Sequence, residues 1–200
     1  VASLTDNDEY ELAIEVCEKL IVFEPNNKRL LKTIADAYMN VYEEDRGLIF
    51  LEQLSVLDPT NPEIMLEISQ ISIDLSFFKK AYNWANKAID TGKLIGKGLA
   101  QRAAVLVAVA DYNIGEEIDF CDKLVFDLAY IDYGSSYEKG NLIAKSKQNE
   151  LLEYDLISSK GDWFLNANGR AEISPSDEEC AKLKKTDCYL WINREVKSKD

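Results

Sequence analysis

The acidic side chains of "GEEIDFCDK" are the densest group of chemically active residues in the chain. Glu116, Glu117, Asp119 and Asp122 offer carboxylates that can bind a metal ion or act as a general acid and base. These residues also come where a hydrophobic helical pattern begins, and acidic side chains in a first turn stabilise a helix through its dipole. The spacing therefore favours a helix start, and catalysis by Glu116 and Glu117 is the alternative.

Histidine is absent from the sequence, so the common Ser-His-Asp triad and the most frequent general base are excluded. The stretch "TGKLIGKG" (91–98) shares Gly and Lys with phosphate-binding loops. It lacks their spacing, the Ser or Thr after Lys and the preceding strand, so we interpret it as a turn between helices. We predict no cofactor, no metal site and no catalytic activity for this chain.

The cysteines, Cys17, Cys121, Cys180 and Cys188, show no CxxC motif and no regular spacing. Without histidine, the common zinc-binding patterns do not fit them. We predict that all of them are reduced, small apolar side chains. A bridge between Cys180 and Cys188 is the alternative, and it requires a break in the helix, because eight residues of helix span about 12 Å.

The charge of the chain limits the kinds of partner it can bind. The formal net charge is -13, which argues against nucleic acid because phosphates need a Lys and Arg footprint. An anionic membrane surface is disfavoured for the same reason, and no apolar run reaches the roughly 18 residues that span a bilayer. Another protein or a peptide is the expected partner, and self-association stays possible.

An internal repeat organises the first half of the chain. Gly47 lies 34 residues past Ala13, and Ala81 lies 34 residues past Gly47. Each of these small residues stands in an amphipathic segment. Ala13 and Gly47 are each followed twelve residues later by a proline, Pro25 or Pro59. A fixed period of this length predicts stacked supersecondary units that share one core.

This period and pattern resemble the tetratricopeptide repeat family, in which each unit is a pair of antiparallel helices, A and B. Helix A carries large, small and aromatic positions, and helix B carries small residues and a closing proline. The second unit fits at Leu31, Ile34, Ala35, Tyr38, Gly47, Leu51, Leu54 and Pro59, and the third unit fits at Met65, Ile68, Ser69, Ala81, Ala85 and Ala88. In the third unit Gly92 replaces the proline as the helix stop.

The residues between the units are of types that end one helix and begin the next. Proline lacks the N–H and its ring clashes with the preceding turn, so Pro25 and Pro59 end helix B. Asn27 and Asn61 are placed to cap the next helix A, and Pro62 suits a first helical turn. The predicted fold class is therefore all-α: a right-handed α-solenoid of tetratricopeptide-like helix pairs with a divergent C-terminal cap.

The repeats are predicted to cover residues 1–133, with 28–61 and 62–95 best matched and 96–133 degenerate. By register the first unit is truncated, with Leu4 at the aromatic position of a half helix A, so we expect the natural protein to extend upstream. Residues 134–200 are predicted to form a helical cap with a short hairpin or loop at 161–173. Trp163 and Trp191 are expected to anchor it, and a partner-binding role is the alternative.

In the family, helix A side chains line a concave groove that holds an extended peptide or a partner helix. Transferred by register, the predicted groove residues are Arg29, Lys32, Asp36, Met39, Asn40, Glu63, Leu66, Gln70, Ile73, Asp74 and Lys97, with Ala100, Ala104 and Val107 after it. Their acids favour a partner with apolar and basic character.

The resemblance implies a protein- or peptide-binding scaffold module of a larger protein that uses this groove. The alternative is an interaction or regulatory domain of an enzyme or signalling protein whose catalytic part lies elsewhere. Neither the composition nor the repeat indicates the cellular compartment.

Overall fold

The computed structural model describes residues 6–184 and 188–198, so the predicted position of Leu4 lies outside the described residues. The described residues contain helices α1 to α10 and two short strands. The elements are α1(Asp6–Ile21), α2(Lys28–Asn40), α3(Glu44–Leu57), α4(Pro62–Asp74), α5(Phe78–Asp90), α6(Ile95–Asn113), α7(Phe120–Glu138), α8(Ile143–Glu153), α9(Lys160–Asn166), β1(Glu172–Ile173), α10(Glu178–Lys184) and β2(Val196–Lys197). The predicted all-α class is confirmed. The chain forms two compact units, 1–93 and 94–200.

The predicted helix caps of unit 1 are confirmed at α2 and α4, and the predicted helix stop is confirmed after α5. The Asn27 side chain accepts a hydrogen bond from the Leu30 amide at 3.1 Å, and the Asn61 side chain accepts one from the Glu63 amide at 3.1 Å. Each removes an unpaired N–H from the first turn of the helix it begins. Pro62 occupies the first turn of α4, and Gly92 after α5 has a φ of +72°, where glycine is favoured over other residues.

The helices of unit 1 pack as consecutive pairs, α2 with α3 and α4 with α5. Small residues allow the close approach: an added Cβ at Gly47 would lie 3.0 Å from the carbonyl oxygen of Ala35. In the next pair, the Ser69 hydroxyl donates to the carbonyl of Ala81 at 2.8 Å. One core cluster of unit 1 is made of Leu31, Ala35, Leu48, Leu51, Leu54, Ile64, Ile68 and Ile71.

We expect Gly47→Leu to lower the free energy of unfolding by about 2 kcal/mol, as overpacking of a filled core does. The first added carbon would lie 2.4 Å from Cε of Met39 and 3.0 Å from the Ala35 backbone, and the backbone cannot move as a side-chain end can. Urea denaturation followed by circular dichroism measures the loss. Gly115→Leu is the control, because no atom lies within 4 Å of its added Cβ; equal losses in both variants contradict the expectation.

Unit 2 is built around α7, which pairs with α6 and also contacts α8. The predicted boundary between residues 133 and 134 falls inside α7, and the chain divides instead between Lys93 and Leu94. The physical reason is the apolar content of α7, whose long buried face continues from Phe120 to Tyr133. Among the described residues of this unit, α6 and α7 share the most extensive helix contact.

The prediction of a hairpin or loop throughout 161–173 is wrong in its first part. Residues Lys160–Asn166 form α9, because the Ser159 hydroxyl accepts from the Asp162 amide while the Asp162 carboxylate accepts from the Ser159 amide. The strand that follows, β1, pairs in antiparallel fashion with β2 near the end of the chain, with Ile173 opposite Val196. A turn at Asn168 and Gly169, both at positive φ, precedes β1.

The prediction that all cysteines are reduced is also wrong. A disulfide joins Cys121 in α7 to Cys180 in α10, with 5.6 Å between their Cα atoms. It differs as well from the alternative pairing of Cys180 with Cys188. Spacing could not reveal it, because the partners are 59 residues apart and are brought together only by the packing of α10 on α7.

No helix among residues 6–184 and 188–198 combines the length and the apolar character needed to cross a membrane. The longest helices, α6 and α7, have 19 residues each. Both carry charged residues, such as Arg102 in α6 and Asp132 in α7, that pair inside unit 2.

Candidate partner-binding surface

The A helices of unit 1, α2 and α4, lie side by side and are joined by one lysine. The Lys32 ammonium in α2 donates to the Glu67 carboxylate of α4 at 2.8 Å, and it also donates to Asp36 in its own helix. These residues are 35 positions apart in the sequence, which is one repeat period plus one. This bridge links α2 to α4, and we call the predicted groove residues of these two helices, together with Glu67, the groove surface.

The α2 side of the groove surface has four exposed or half-exposed polar side chains, Lys32 among them, and one apolar side chain that turns inward. Arg29 and Asn40 are exposed and Asp36 is half-buried, and Asn40 donates to the Asp36 carbonyl at 2.7 Å. Met39 instead packs on the core cluster and against Gly47 of α3. The structure thus gives Met39 a packing role between the helices of its own pair.

The α4 side continues the groove surface with side chains spaced one helical turn apart. Glu63, Gln70 and Asp74 are exposed, and Leu66 and Ile73 are half-buried. Gln70 donates to the Asp74 carboxylate at 3.0 Å. These five predicted residues therefore stand on an accessible helix face, with apolar side chains between acidic ones.

Glu67 belongs to the groove surface but is absent from the predicted groove residues. The signal that reveals it is the repeat itself, since an acid one period plus one after a lysine lies opposite that lysine in the neighbouring A helix. Lys97, the last predicted groove residue, is exposed in the first turn of α6. It belongs to unit 2, so its place in a groove with the residues of α2 and α4 stays a prediction.

The electrostatics of the groove surface are dominated by carboxylates. Burial lowers the pKa of Lys32, but the hydrogen bonds to Asp36 and Glu67 outweigh burial, so the net pKa is raised and the ammonium stays charged. Its charge is shared between two acids of the surface. Glu63 and Asp74 add negative charge and Arg29 adds one exposed positive charge, so the surface carries net negative charge.

A cleft of about 620 Å³ opens between α3, α4 and α5 of unit 1. Its apolar lining includes Met65, Trp84 and the exposed Val56. The Lys87 ammonium lies 3.7 Å from the centroid of the Trp84 ring, a cation–π contact. Sequence reasoning missed this cleft; the signal was a tryptophan in a B helix followed by a lysine three positions later.

The acidic group of unit 2 is held together as a helix cap. The Asp119 carboxylate accepts hydrogen bonds from the amides of Cys121 and Asp122, and the Asp122 carboxylate accepts one from the Asp119 amide. Lys184 donates to both carboxylates. Burial lowers the pKa of Lys184, and the hydrogen bonds to these acids outweigh it, so the pKa is raised. Glu116 and Glu117 are exposed.

The C-terminal segment is attached to α7 through an aromatic side chain as well as through Lys184. The Trp163 ring lies edge-on to Phe120, with 5.6 Å between the ring centroids. Its indole N–H donates to the Ser158 hydroxyl at 2.8 Å, and that hydroxyl donates to the buried Asp127. Trp163 is 3% exposed, which is consistent with the predicted anchor, and Trp191 is half-buried.

Comparisons with known proteins give a fold likeness and no family. No family model matches the chain, and no curated protein matches it. Two crystal structures of MamA are similar at 18% identity with a TM-score of 0.46, and the match covers 76% of this chain and 99% or 89% of the MamA chains. These values are too low to transfer any property of MamA to this chain.

Proposed function

We propose that this chain is a protein- or peptide-binding scaffold of the tetratricopeptide repeat type, and that the groove surface on α2 and α4 binds the partner. The observation that supports the proposal is the Lys32 bridge to Glu67, because it joins the two A helices into a single face. Exposed side chains from both helices, among them Arg29, Glu63 and Gln70, project from that face. The proposal assigns the chain no catalytic step.

The chemistry of the groove surface favours a partner segment that is apolar and basic. The groove surface carries more acidic than basic side chains. The acids are Asp36, Glu63, Glu67 and Asp74, and the bases are Arg29 and Lys32. Leu66 and Ile73 offer apolar contact between the acids. Carboxylates of this kind steer a cationic segment and fix its register, while the apolar contacts supply most of the affinity.

The test compares three forms of the chain as bait in an affinity capture, followed by a titration with the captured partner. In the groove variant Lys32, Glu63, Gln70 and Ile73 are replaced by Ala. In the matched control four exposed residues of the B helices, Asp45, Gln53, Asn83 and Asp90, are replaced by Ala. We expect the groove variant to weaken partner binding by at least about tenfold, since a few central residues carry most of an interface energy.

The control should bind the partner as tightly as the unmodified chain. Circular dichroism must show that both variants keep their helical content, because Lys32 also contacts Glu67. Equal binding by the groove variant and the unmodified chain would move the site away from α2 and α4. A selective loss in the B-helix control would place the partner on the face with the Trp84 cleft instead.

A further inference from the structure

Helix α1 has an exposed apolar stripe along one side. Leu12, Val16 and Leu20 follow one another at intervals of four, and they are 53%, 47% and 49% exposed. Phe23, just past the end of the helix, is 83% exposed. The opposite side of α1 packs on α2 through Cys17, Ile14 and Ile21. Residues four apart share a helix face, so these side chains form one continuous apolar strip.

Of the equivalent residues in the next B helix, Leu54 is buried, Phe50 and Leu57 are half-buried, and Arg46 is exposed. Leu20 lies 34 residues before Leu54 of α3, which is 4% exposed, and the equivalent residue of α5, Ala88, is 1% exposed. Leu54 is covered because it packs in the cluster with Leu31 and Ala35 of α2, the A helix of its own pair. Within the described residues, α1 packs on α2, and its other apolar side, which carries Leu12, Val16 and Leu20, is exposed to solvent.

We propose that the stripe Leu12, Val16, Leu20 and Phe23 binds one amphipathic helix of a partner, with an apolar face like that of an A helix and with Lys and Arg along its flanks. This stripe shares no residue with the groove surface. It is therefore a second binding surface, and the proposal does not depend on the groove assignment.

The shape of the partner helix follows from the pairs that are present. Small residues meet at both helix pairs of unit 1: Gly47 lies against the Ala35 carbonyl, and the Ala81 carbonyl accepts from Ser69. Ala13 stands in the same register position as Gly47 and Ala81. A helix on the stripe must therefore place a small residue against Ala13 and apolar side chains of Leu or Ile size on either side of it.

The charge around the stripe selects a basic helix. Residues 9–24 contain the acids Glu9, Glu11, Glu15, Glu18 and Glu24 and one base, Lys19. Lys19 pairs with Glu15 at 2.6 Å and Arg46 of α3 pairs with Glu18 at 3.1 Å. The other acids are more numerous than these two cations, so the field of this segment stays negative. A second copy of the chain would bring an equally acidic α1 to the contact, and like charges at an interface oppose binding.

A titration with a synthetic helix tests the proposal. The probe is a labelled, end-capped peptide of about 18 residues, roughly 27 Å of helix, with Leu, Ile, Ala and Tyr at the spacing of Leu31, Ile34, Ala35 and Tyr38 and Lys elsewhere. We expect saturable binding by fluorescence anisotropy. Leu12→Ser with Leu20→Ser should weaken it by at least about tenfold, because burial of two Leu side chains is lost.

The control is Ile49→Ser with Val56→Ser, which removes two exposed apolar residues of α3, 53% and 77% exposed, and should leave binding unchanged. The groove variant should also bind the probe normally. The proposal is overturned if the probe does not saturate, if both serine variants lose binding equally, or if the groove variant loses it. If a probe with Glu in place of Lys binds as tightly as the Lys probe, the partner helix need not be basic, and that part of the proposal is overturned. If the unmodified chain forms a dimer that Leu12→Ser with Leu20→Ser abolishes, the stripe binds a second copy of the chain instead.

Discussion

We expect Asp132→Asn to lower the free energy of unfolding of unit 2 by about 3–5 kcal/mol, the usual cost of removing one partner from a buried ion pair. The side chain of Asp132 is only 2% exposed, and it forms ion pairs with two arginines. Arg102 of α6 donates to both carboxylate oxygens at 2.7 Å, and Arg194 near the C-terminus donates to both at 2.7 and 2.8 Å.

The reason for so large a loss is that asparagine keeps the shape of the side chain and removes its charge. The amide offers one oxygen where the carboxylate offered two, so each guanidinium loses a charge-assisted bond in a site with little water. Arg102 and Arg194 then repel each other without a shared anion. Arg194 lies 62 residues after Asp132 in the sequence, and its bonds to Asp132 attach the end of the chain to α7. The residues around Arg194 should therefore detach from α7 before the rest of unit 2 unfolds.

Urea denaturation followed by tryptophan fluorescence measures this loss in a Trp84→Phe background, in which Trp163 and Trp191 of unit 2 are the remaining tryptophans. Glu153→Gln is the control, because Glu153 is exposed at the end of α8, and it should change the free energy by less than about 0.5 kcal/mol. A loss for Asp132→Asn no larger than that of the control would show that the triad contributes little to stability.

The helix boundaries of unit 1 could be predicted from the sequence because they depend on interactions between residues that are close in the chain. Asn27 and Asn61 cap helices three or fewer residues away, and Pro62 fits a first turn whatever the rest of the chain does. The 34-residue period adds the pairing of small residues such as Gly47 with Ala35, since a repeat places equivalent residues in equivalent contacts. Glu67 was not among the predicted groove residues, although the same period points to it, because it stands one period plus one after Lys32.

Unit 2 could not be predicted in the same way because its contacts join distant residues that no period relates. Arg194 reaches Asp132, and Lys184 reaches Asp122, each over 62 positions. Composition shows these as charged residues of a polar tail, and only the folded chain shows that their partners are buried in α7. The capping box of Ser159 and Asp162 is local and readable from the sequence, but the prediction of a hairpin or loop for 161–173 did not use it.

The disulfide between Cys121 and Cys180 leads to the second large effect, a loss of about 4 kcal/mol of stability when it is reduced. The bond closes a loop with a sequence separation of 59, and the entropy that such a closure removes from the unfolded chain is worth about that much at 25 °C. Urea denaturation of unit 2 with and without a reductant measures the difference. Cys121→Ser with Cys180→Ser should match the reduced chain and lose all response to the reductant.

The matched variant is Cys17→Ser with Cys188→Ser, which leaves the bond in place and should keep the full response to the reductant. Alkylation of the denatured, unreduced chain should label two cysteines, Cys17 and Cys188; labelling of all four, or a mapped bond from Cys180 to Cys188, would contradict the pairing. The bond also sits beside Asp122, which holds Lys184 and Tyr189. Because both links attach the same segment to α7, losing the disulfide and Asp122→Asn together should change stability by an amount that differs from the sum of the separate losses.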